Sequence, residues 1–175
     1  MKKGLTLVEL LITIVLFALL ATAAVYVFRA VLLSWSSQEE RTGIDIMLDK
    51  SLETLVRNLR GATAVRLGPN LGDDYEEIRF TQGGTDYIFY LYNAGGSYGS
   101  PPVFDQDSYE LRRTTLSGGI DGTFTYGDGL IIAMDILPPT TSDFSFDGSM
   151  VTIDLSAKRG NETVRTRTEV RPRNL

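Results

Sequence analysis

An uninterrupted apolar segment near the start of the chain constrains the fold most strongly. Residues 10–28 contain no charge, no proline and no glycine. At about 1.5 Å per residue, a helix of these nineteen residues is about 28 Å long, close to the roughly 30 Å hydrocarbon core of a bilayer. Lys2 and Lys3 precede the segment and a long polar body follows it. The positive-inside tendency therefore predicts a single membrane span with its start in the cytosol and the body across the membrane.

Composition limits the chemistry that this chain can perform. The 175 residues can hold one moderate domain plus an extra element, and their formal net charge is −5. We therefore expect no nucleic-acid partner. The sequence has no cysteine and no histidine. A disulfide scaffold, a thiolate zinc site, a catalytic cysteine and histidine-based acid–base catalysis are excluded.

Glu9 is the residue that a simple membrane segment does not explain. A cleaved secretory signal would have a basic start, an apolar stretch and a small-residue site, which residues 21–23 formally supply. A plain anchor would need only the length. A carboxylate on a membrane helix costs about 2.5–3.5 kcal/mol near the centre and less toward an end, so it usually marks a function or a partner.

The residues around Glu9, which read KKGLTLVEL, closely resemble the processing site of type IV prepilins and type II secretion pseudopilins. The resemblance implies that a prepilin peptidase cuts between Gly4 and Leu5, and that Leu5 becomes the N-methylated terminus. Leu5 replaces the commoner phenylalanine but stays apolar. Glu9 would then be the fifth mature residue, and the free amine of a neighbouring subunit could neutralise it. Such pairing offsets the desolvation cost that each buried charge would otherwise carry alone.

The helix is predicted to continue beyond the apolar segment. Apolar residues recur there at spacings of three and four, which is typical of an amphipathic helix; they are Ile44, Met47, Leu48, Leu52, Leu55, Val56 and Leu59. Gly61 is predicted to end it, and the polar residues 34–43 could form a softer joint. Together with the resemblance, which implies the leader and the filament core, these patterns predict a leader (1–4), a transmembrane and filament-core helix (5–33), an amphipathic half (34–62) and a β-rich periplasmic domain (63–175).

Beyond Gly61 the apolar period changes to two, which predicts half-buried strands. Gly83-Gly84 and Gly160-Asn161 each separate two such segments and predict antiparallel hairpins. Residues 130–137 are more continuously apolar and predict a strand covered on both faces. The predicted fold class is α+β, with a long N-terminal helix on an antiparallel sheet. The resemblance adds a pilin-like fold whose transmembrane half projects.

Other candidate sites have ordinary structural explanations. Residues 95–99 match the G-x-S-x-G nucleophile pattern, but without a histidine base they predict a loop. Loop carboxylates could bind calcium, although turn preference alone explains them and none has EF-hand spacing; they are Asp73, Asp74, Glu76, Glu77, Asp105, Asp107, Asp121 and Asp128. We predict no catalytic residue, no metal site and no cofactor, with calcium left open.

Two further surfaces could bind partners. Tyr87, Phe89, Tyr90 and Tyr92 could form a stacking platform, but packing within a strand is the favoured interpretation. Residues 158–175 carry six arginines and lysines against two glutamates, which suits either an acidic partner or a solvated strand face.

The resemblance implies a non-enzymatic minor subunit that acts in filament initiation or at the tip. The best matching type is a J-type minor pseudopilin of type II secretion or a W-type minor pilin. The implied partners are prepilin peptidase, the inner membrane before assembly, and other minor and major pilins through the N-terminal helix. The alternatives are a tip binding module (an adhesin or a DNA receptor) and a membrane-anchored hydrolase.

Overall fold

The computed structural model describes residues 6–68, 77–93, 108–138 and 143–174. Within these ranges the chain forms a helix, α1 (Leu7–Arg60), followed by strands; they are β1 (Ala64–Leu67), β2 (Glu77–Gln82), β3 (Thr85–Tyr92), β4 (Tyr109–Thr115), β5 (Leu130–Ile136), β6 (Asp143–Phe146), β7 (Val151–Arg159) and β8 (Glu162–Val170). The chain divides into two compact units, Met1–Glu39 and Glu40–Leu175.

Helix α1 has 54 residues and confirms the prediction that the apolar segment continues into an amphipathic helix. It ends at Arg60, directly before Gly61, as the sequence predicts. The polar residues 34–43, which could form a softer joint by sequence, are helical throughout. In the first unit, the large apolar side chains of α1 are exposed.

The second unit has its core between α1 and a curled antiparallel sheet. The helix contributes a buried face whose members are spaced by three or four residues; they are Ile44, Leu48, Ser51, Leu55 and Leu59. Met47, Leu52 and Val56 are partly buried at the rim of this core. Sheet residues such as Phe80, Phe89, Leu111 and Leu155 complete it. This arrangement confirms the predicted α+β fold.

The strand order is β1-β2-β3-β4-β5-β7-β6, with β8 also paired to β7, and all these pairs are antiparallel. Both predicted hairpins are confirmed. Gly83 and Gly84 join β2 to β3 with φ values of 61° and 79°, so both central positions use the left-handed region that a type I′ turn requires. Gly160 joins β7 to β8 with φ of 58°.

The prediction that residues 130–137 form a strand covered on both faces is wrong. In β5, Ala133 and Ile136 are buried, but Leu130, Ile131 and Met134 are 60%, 38% and 47% exposed. The pairing with β4 shifts register, since Leu111 pairs with Ala133 and Arg112 with Ile131, and the backbone pairing with β7 is limited to one residue pair. A bulge of this kind bends a strand and re-aims its side chains, so apolar continuity here did not mean two-sided burial.

Ser51 joins the helix to this irregular strand. Its Oγ lies 2.6 Å from the carbonyl oxygen of Met47 and 3.0 Å from that of Ile132 in β5. The Ser51 side chain is buried, and its hydroxyl is within hydrogen-bonding distance of both carbonyl oxygens. Ser51 is thus a polar contact within an otherwise apolar helix–sheet interface.

We expect Ser51→Ala to lower the free energy of unfolding by about 1–2 kcal/mol, because a buried acceptor loses its donor. Thr54→Ala is the matched control. The Thr54 hydroxyl also donates to the carbonyl of the residue four positions earlier, but it is exposed, so its loss should cost at most about 0.5 kcal/mol. Urea unfolding of the full chain in mild detergent measures both. Equal losses would show that the contact with β5 contributes nothing.

Candidate functional site

The first turn of α1 is closed by its own side chains. The backbone N–H and the hydroxyl of Thr6 each donate to Glu9 Oε2 at 3.2 Å, and the Glu9 N–H donates to Thr6 Oγ1 at 3.3 Å. This reciprocal pattern is a capping box, in which a Thr at the N-cap and a Glu three residues later satisfy helix donors that have no intrahelical partner. Glu9 therefore has a structural role within its own chain.

The capping box was missed in the sequence, although the spacing Thr6-x-x-Glu9 before an apolar run is its usual signature. The carboxylate in the first turn also interacts favourably with the positive end of the helix dipole. The capping bonds use Oε2, so Oε1 takes no part in them. Gly4 and Leu5, the predicted cleavage and methylation positions, lie outside the described residues.

Helix α1 is the one helix in the described part of the chain that is long and apolar enough to cross a membrane. Its most apolar window has no buried residue. Side chains such as Phe17, Leu20 and Tyr26 are exposed around this segment. Exposed apolar area of this extent is unfavourable in water, at about 25 cal/mol for each Å². The helix is consistent with membrane anchoring.

The aromatic residues of β3 pack within the body. Phe89 and Tyr90 are buried, and Tyr87 and Tyr92 are half-buried. The rings of Phe80 and Phe89 stack with centroids 5.2 Å apart, and the Tyr90 ring lies 4.7 Å from Phe124. This burial supports the packing interpretation of the aromatic residues of β3.

Tyr90 also binds the connection between β4 and β5. Its hydroxyl donates to the carbonyl of Asp128 at 2.5 Å and accepts a hydrogen bond from the N–H of Gly127 at 3.2 Å. Leu116, Phe124 and Tyr126 from this connection pack around Tyr90 in a second apolar cluster. Burial of the phenol raises the pKa of Tyr90 above its ordinary value of 10.0. Tyr90 thus holds the connection between β4 and β5 against the sheet through hydrogen bonds and apolar packing.

This raised pKa predicts a loss of stability in alkali. The unfolded chain releases the Tyr90 proton first, so the contribution of the neutral phenol is complete below pH about 10 and falls as the pH rises through the folded-state pKa. We expect Tyr90→Phe to cost about 1 kcal/mol at pH about 8 and to show a weaker loss of stability as the pH rises above about 10 than the unmodified chain. Unfolding free energies across this pH range measure the difference. Parallel pH curves for the two chains would contradict the assignment.

The basic C-terminal segment is partly neutralised within the body. Arg165 contacts the buried Asp154 through two nitrogens at 2.8 and 2.7 Å. Arg159 contacts Asp135 at 2.8 Å, and Arg167 lies 4.0 Å from Glu169. On β8 the side chains alternate, so Arg165 and Arg167 are on the exposed face. These contacts support the interpretation as a solvated strand face.

The predicted carboxylate clusters are not assembled into a metal site in the described ranges. Glu77 is buried and contacts Arg79 at 2.8 Å, and Asp121 contacts Arg66 at 2.7 Å. Among the residues that the structure describes, no group of three or more potential ligands could hold a metal ion. The calcium option stays untested, because several of its candidate carboxylates lie outside the described residues; these are Asp73, Asp74, Glu76, Asp105 and Asp107. The G-x-S-x-G pattern at residues 95–99 also lies outside them.

Comparison with known families gives a match at the start of the chain. The family described as the prokaryotic N-terminal methylation motif matches residues 1–25. The match coincides with the start of the long apolar helix. The chain fits the type IV prepilin-like family.

The motif supports a prepilin-type substrate of prepilin peptidase and implies assembly with other pilins. Prepilin-like proteins are structural subunits and generally not enzymes. The matched residues include Gly4, Leu5 and Glu9 and most of the apolar segment of this prepilin-like chain. No curated protein and no solved structure matches the chain.

Proposed function

We propose that this prepilin-like chain is a minor subunit of a type II secretion pseudopilus or a type IV pilus-like filament, acting in filament initiation or tip assembly and in protein secretion. The observation that carries the proposal is the methylation motif at residues 1–25, together with a helix from Leu7 whose large apolar side chains are exposed in the first unit. In this proposal the leader 1–4 is removed by cleavage between Gly4 and Leu5, and Leu5 is N-methylated. The calcium option plays no part.

The exposed apolar helix fits a subunit with two successive surroundings. Before assembly, residues 5–33 form a single span of the bacterial inner membrane, with residues 63–175 in the periplasm. After assembly, the same side chains pack against helices of other minor and major pilins in the filament. Both surroundings cover apolar surface that water would leave unfavourably exposed. Cleavage on the cytosolic side preserves this helix, whereas ordinary signal cleavage near residue 23 would remove it.

Glu9 is the proposed recognition group in assembly. The capping box holds the Glu9 carboxylate at the start of the helix through hydrogen bonds from Thr6 to Oε2. Oε1 does not take part in these two hydrogen bonds. A neighbour's N-terminal amine approaching the carboxylate would meet a negative charge already fixed in position. Because both charges leave water during assembly, each offsets the desolvation cost of the other.

The alternative functions have less support in the described residues. A tip binding module that used the aromatic strand would need exposed rings, but Phe89 and Tyr90 are buried. A basic-tail receptor would need uncompensated arginines, but Arg159 and Arg165 contact carboxylates. A membrane-anchored hydrolase has the least support, because prepilin-like proteins are generally structural subunits and not enzymes.

Recovery of the chain in sheared filaments tests the proposal. In cells that make prepilin peptidase and the other pilins, we expect the chain in the filament fraction in its cleaved form. In matched cells that lack the peptidase, we expect an uncleaved chain that stays in the inner membrane. Presence of the chain in membranes but never in filaments, despite normal filaments, would overturn the proposed function.

A further inference from the structure

We infer that Trp35 marks the outer membrane–water interface of the unassembled subunit, so that the lipid-contacting part of α1 extends beyond the nineteen-residue apolar segment. The indole would lie in the headgroup layer on the side of the body, with the bilayer interface as its partner. This inference rests on the proposed function, because it concerns the membrane-bound stage of the same helix.

The length of the helix supports this boundary. Leu7 is the first residue of α1, and the helix is unbroken from there to Trp35. At about 1.5 Å per residue, this separation corresponds to about 42 Å along the helix axis. A bilayer is about 30 Å thick in its hydrocarbon core and about 40–45 Å thick with its interfacial layers. A helix that starts at one interface at Leu7 therefore reaches the opposite interface at Trp35.

The residues that follow the nineteen-residue apolar segment have the character of an interfacial layer. Arg29 follows the uncharged segment, but Val31, Leu32 and Leu33 are again apolar and exposed. Leu33 is 70% exposed and Trp35 is 67% exposed. A boundary at Arg29 would leave these side chains in water. An Arg can extend its apolar stem along the helix and keep its guanidinium in the headgroup layer, so Arg29 is compatible with a deeper position.

The character of the sequence changes directly after Trp35. The next four residues are Ser36, Ser37, Gln38 and Glu39, all polar or charged. Trp is enriched at membrane–water interfaces because its ring is apolar while its N–H can bind water or headgroups. Trp35 therefore lies where exposed apolar side chains give way to polar ones, as an interfacial anchor should.

The chain contains one tryptophan, so its intrinsic fluorescence reports the position of Trp35. The test uses the full chain in phosphatidylcholine–phosphatidylglycerol vesicles that carry a quencher at a defined depth of the acyl chain. We expect the strongest quenching from labels close to the glycerol backbone, and weaker quenching from chain-end labels and from aqueous iodide. Strongest quenching by iodide would place Trp35 in water, and strongest quenching by chain-end labels would place it in the bilayer centre. Either result would overturn the inference.

The double variant Phe28→Trp with Trp35→Phe is the matched control, because it keeps one tryptophan and moves it seven residues along the helix. We expect its quenching maximum to shift toward the bilayer centre by about 10 Å. If the depth of strongest quenching were the same for tryptophan at position 28 and at position 35, the inference would be overturned. The depth of the indole would then not depend on its position along the helix.

Vesicle flotation separates this inference from the proposed function. If the chain does not float with vesicles, the proposed membrane stage fails, and the inference fails with it. If the chain floats but iodide reaches Trp35 more readily than the lipid labels do, only the interfacial role of Trp35 fails.

Discussion

Replacing Glu9 by leucine is expected to reduce recovery of the chain in filaments at least about tenfold, while membrane insertion and cleavage continue. Leucine is at least as compatible with a bilayer as a carboxylate, so insertion should not suffer. The neighbour's amine, however, would lose its partner, and an uncompensated buried charge costs about 3–5 kcal/mol, far more than the roughly 1.4 kcal/mol that corresponds to a factor of ten. Immunoblots of the filament and membrane fractions give recovery, and the ratio of precursor to mature chain gives processing.

Two matched variants separate the charge of Glu9 from its capping role. Glu9→Gln can keep the hydrogen bonds to Thr6 but loses the charge, so we expect a defect close to that of Glu9→Leu. Thr6→Ala removes the N-cap side chain and costs the helix about 1 kcal/mol, but it keeps the charge, so we expect the smaller defect. Normal filament recovery of Glu9→Leu would remove Glu9 from the assembly mechanism.

Replacing Arg79 by methionine is expected to destabilise the body by about 3–5 kcal/mol, the largest stability effect that we predict for a single substitution. Arg79 Nε donates to the buried Glu77 at 2.8 Å. Its Nη1 donates to the carbonyl of Gly122 at 2.9 Å and lies 3.4 Å from that of Ile120. The substitution therefore leaves a buried carboxylate without its guanidinium and detaches part of the connection between β4 and β5. Urea unfolding of the full chain in mild detergent measures the loss.

Arg66→Met is the control for this prediction, because Arg66 pairs with Arg79 across β1 and β2. Its ion pair with Asp121 is short, at 2.7 Å, but both side chains are exposed. Exposed ion pairs contribute about 0–1 kcal/mol, so the control should change stability little. The double variant Arg79→Met with Glu77→Met should be less destabilised than Arg79→Met alone, since it removes both charges. A loss below about 1 kcal/mol for Arg79→Met would contradict the buried-pair assignment.

The features that sequence predicts well here are local ones. The end of α1 before Gly61 and the two glycine-containing hairpins depend on backbone preferences of a few consecutive residues, and the structure confirms them. The buried helix face follows from spacings of three and four that one turn of helix fixes. The methylation motif is likewise contiguous, so one window of sequence contains it.

The features that sequence did not predict depend on contacts between distant residues. The two-sided burial expected for β5 failed because its register shifts and limited pairing are set by β4 and β7, which sequence patterns in β5 do not contain. The Arg79 contacts with Ile120 and Gly122 join residues more than forty positions apart. The capping box is different, because Thr6 and Glu9 are local and their spacing could have identified it.

The mass of the mature N-terminus tests the central claim most directly. The chain should be isolated from cells that carry prepilin peptidase and then digested, and the mass of its first peptide measured. The account predicts a peptide that begins at N-methylated Leu5, without the four residues from Met1 to Gly4. A first peptide that begins at an intact Met1, or near Ala24 after ordinary signal cleavage, would contradict it.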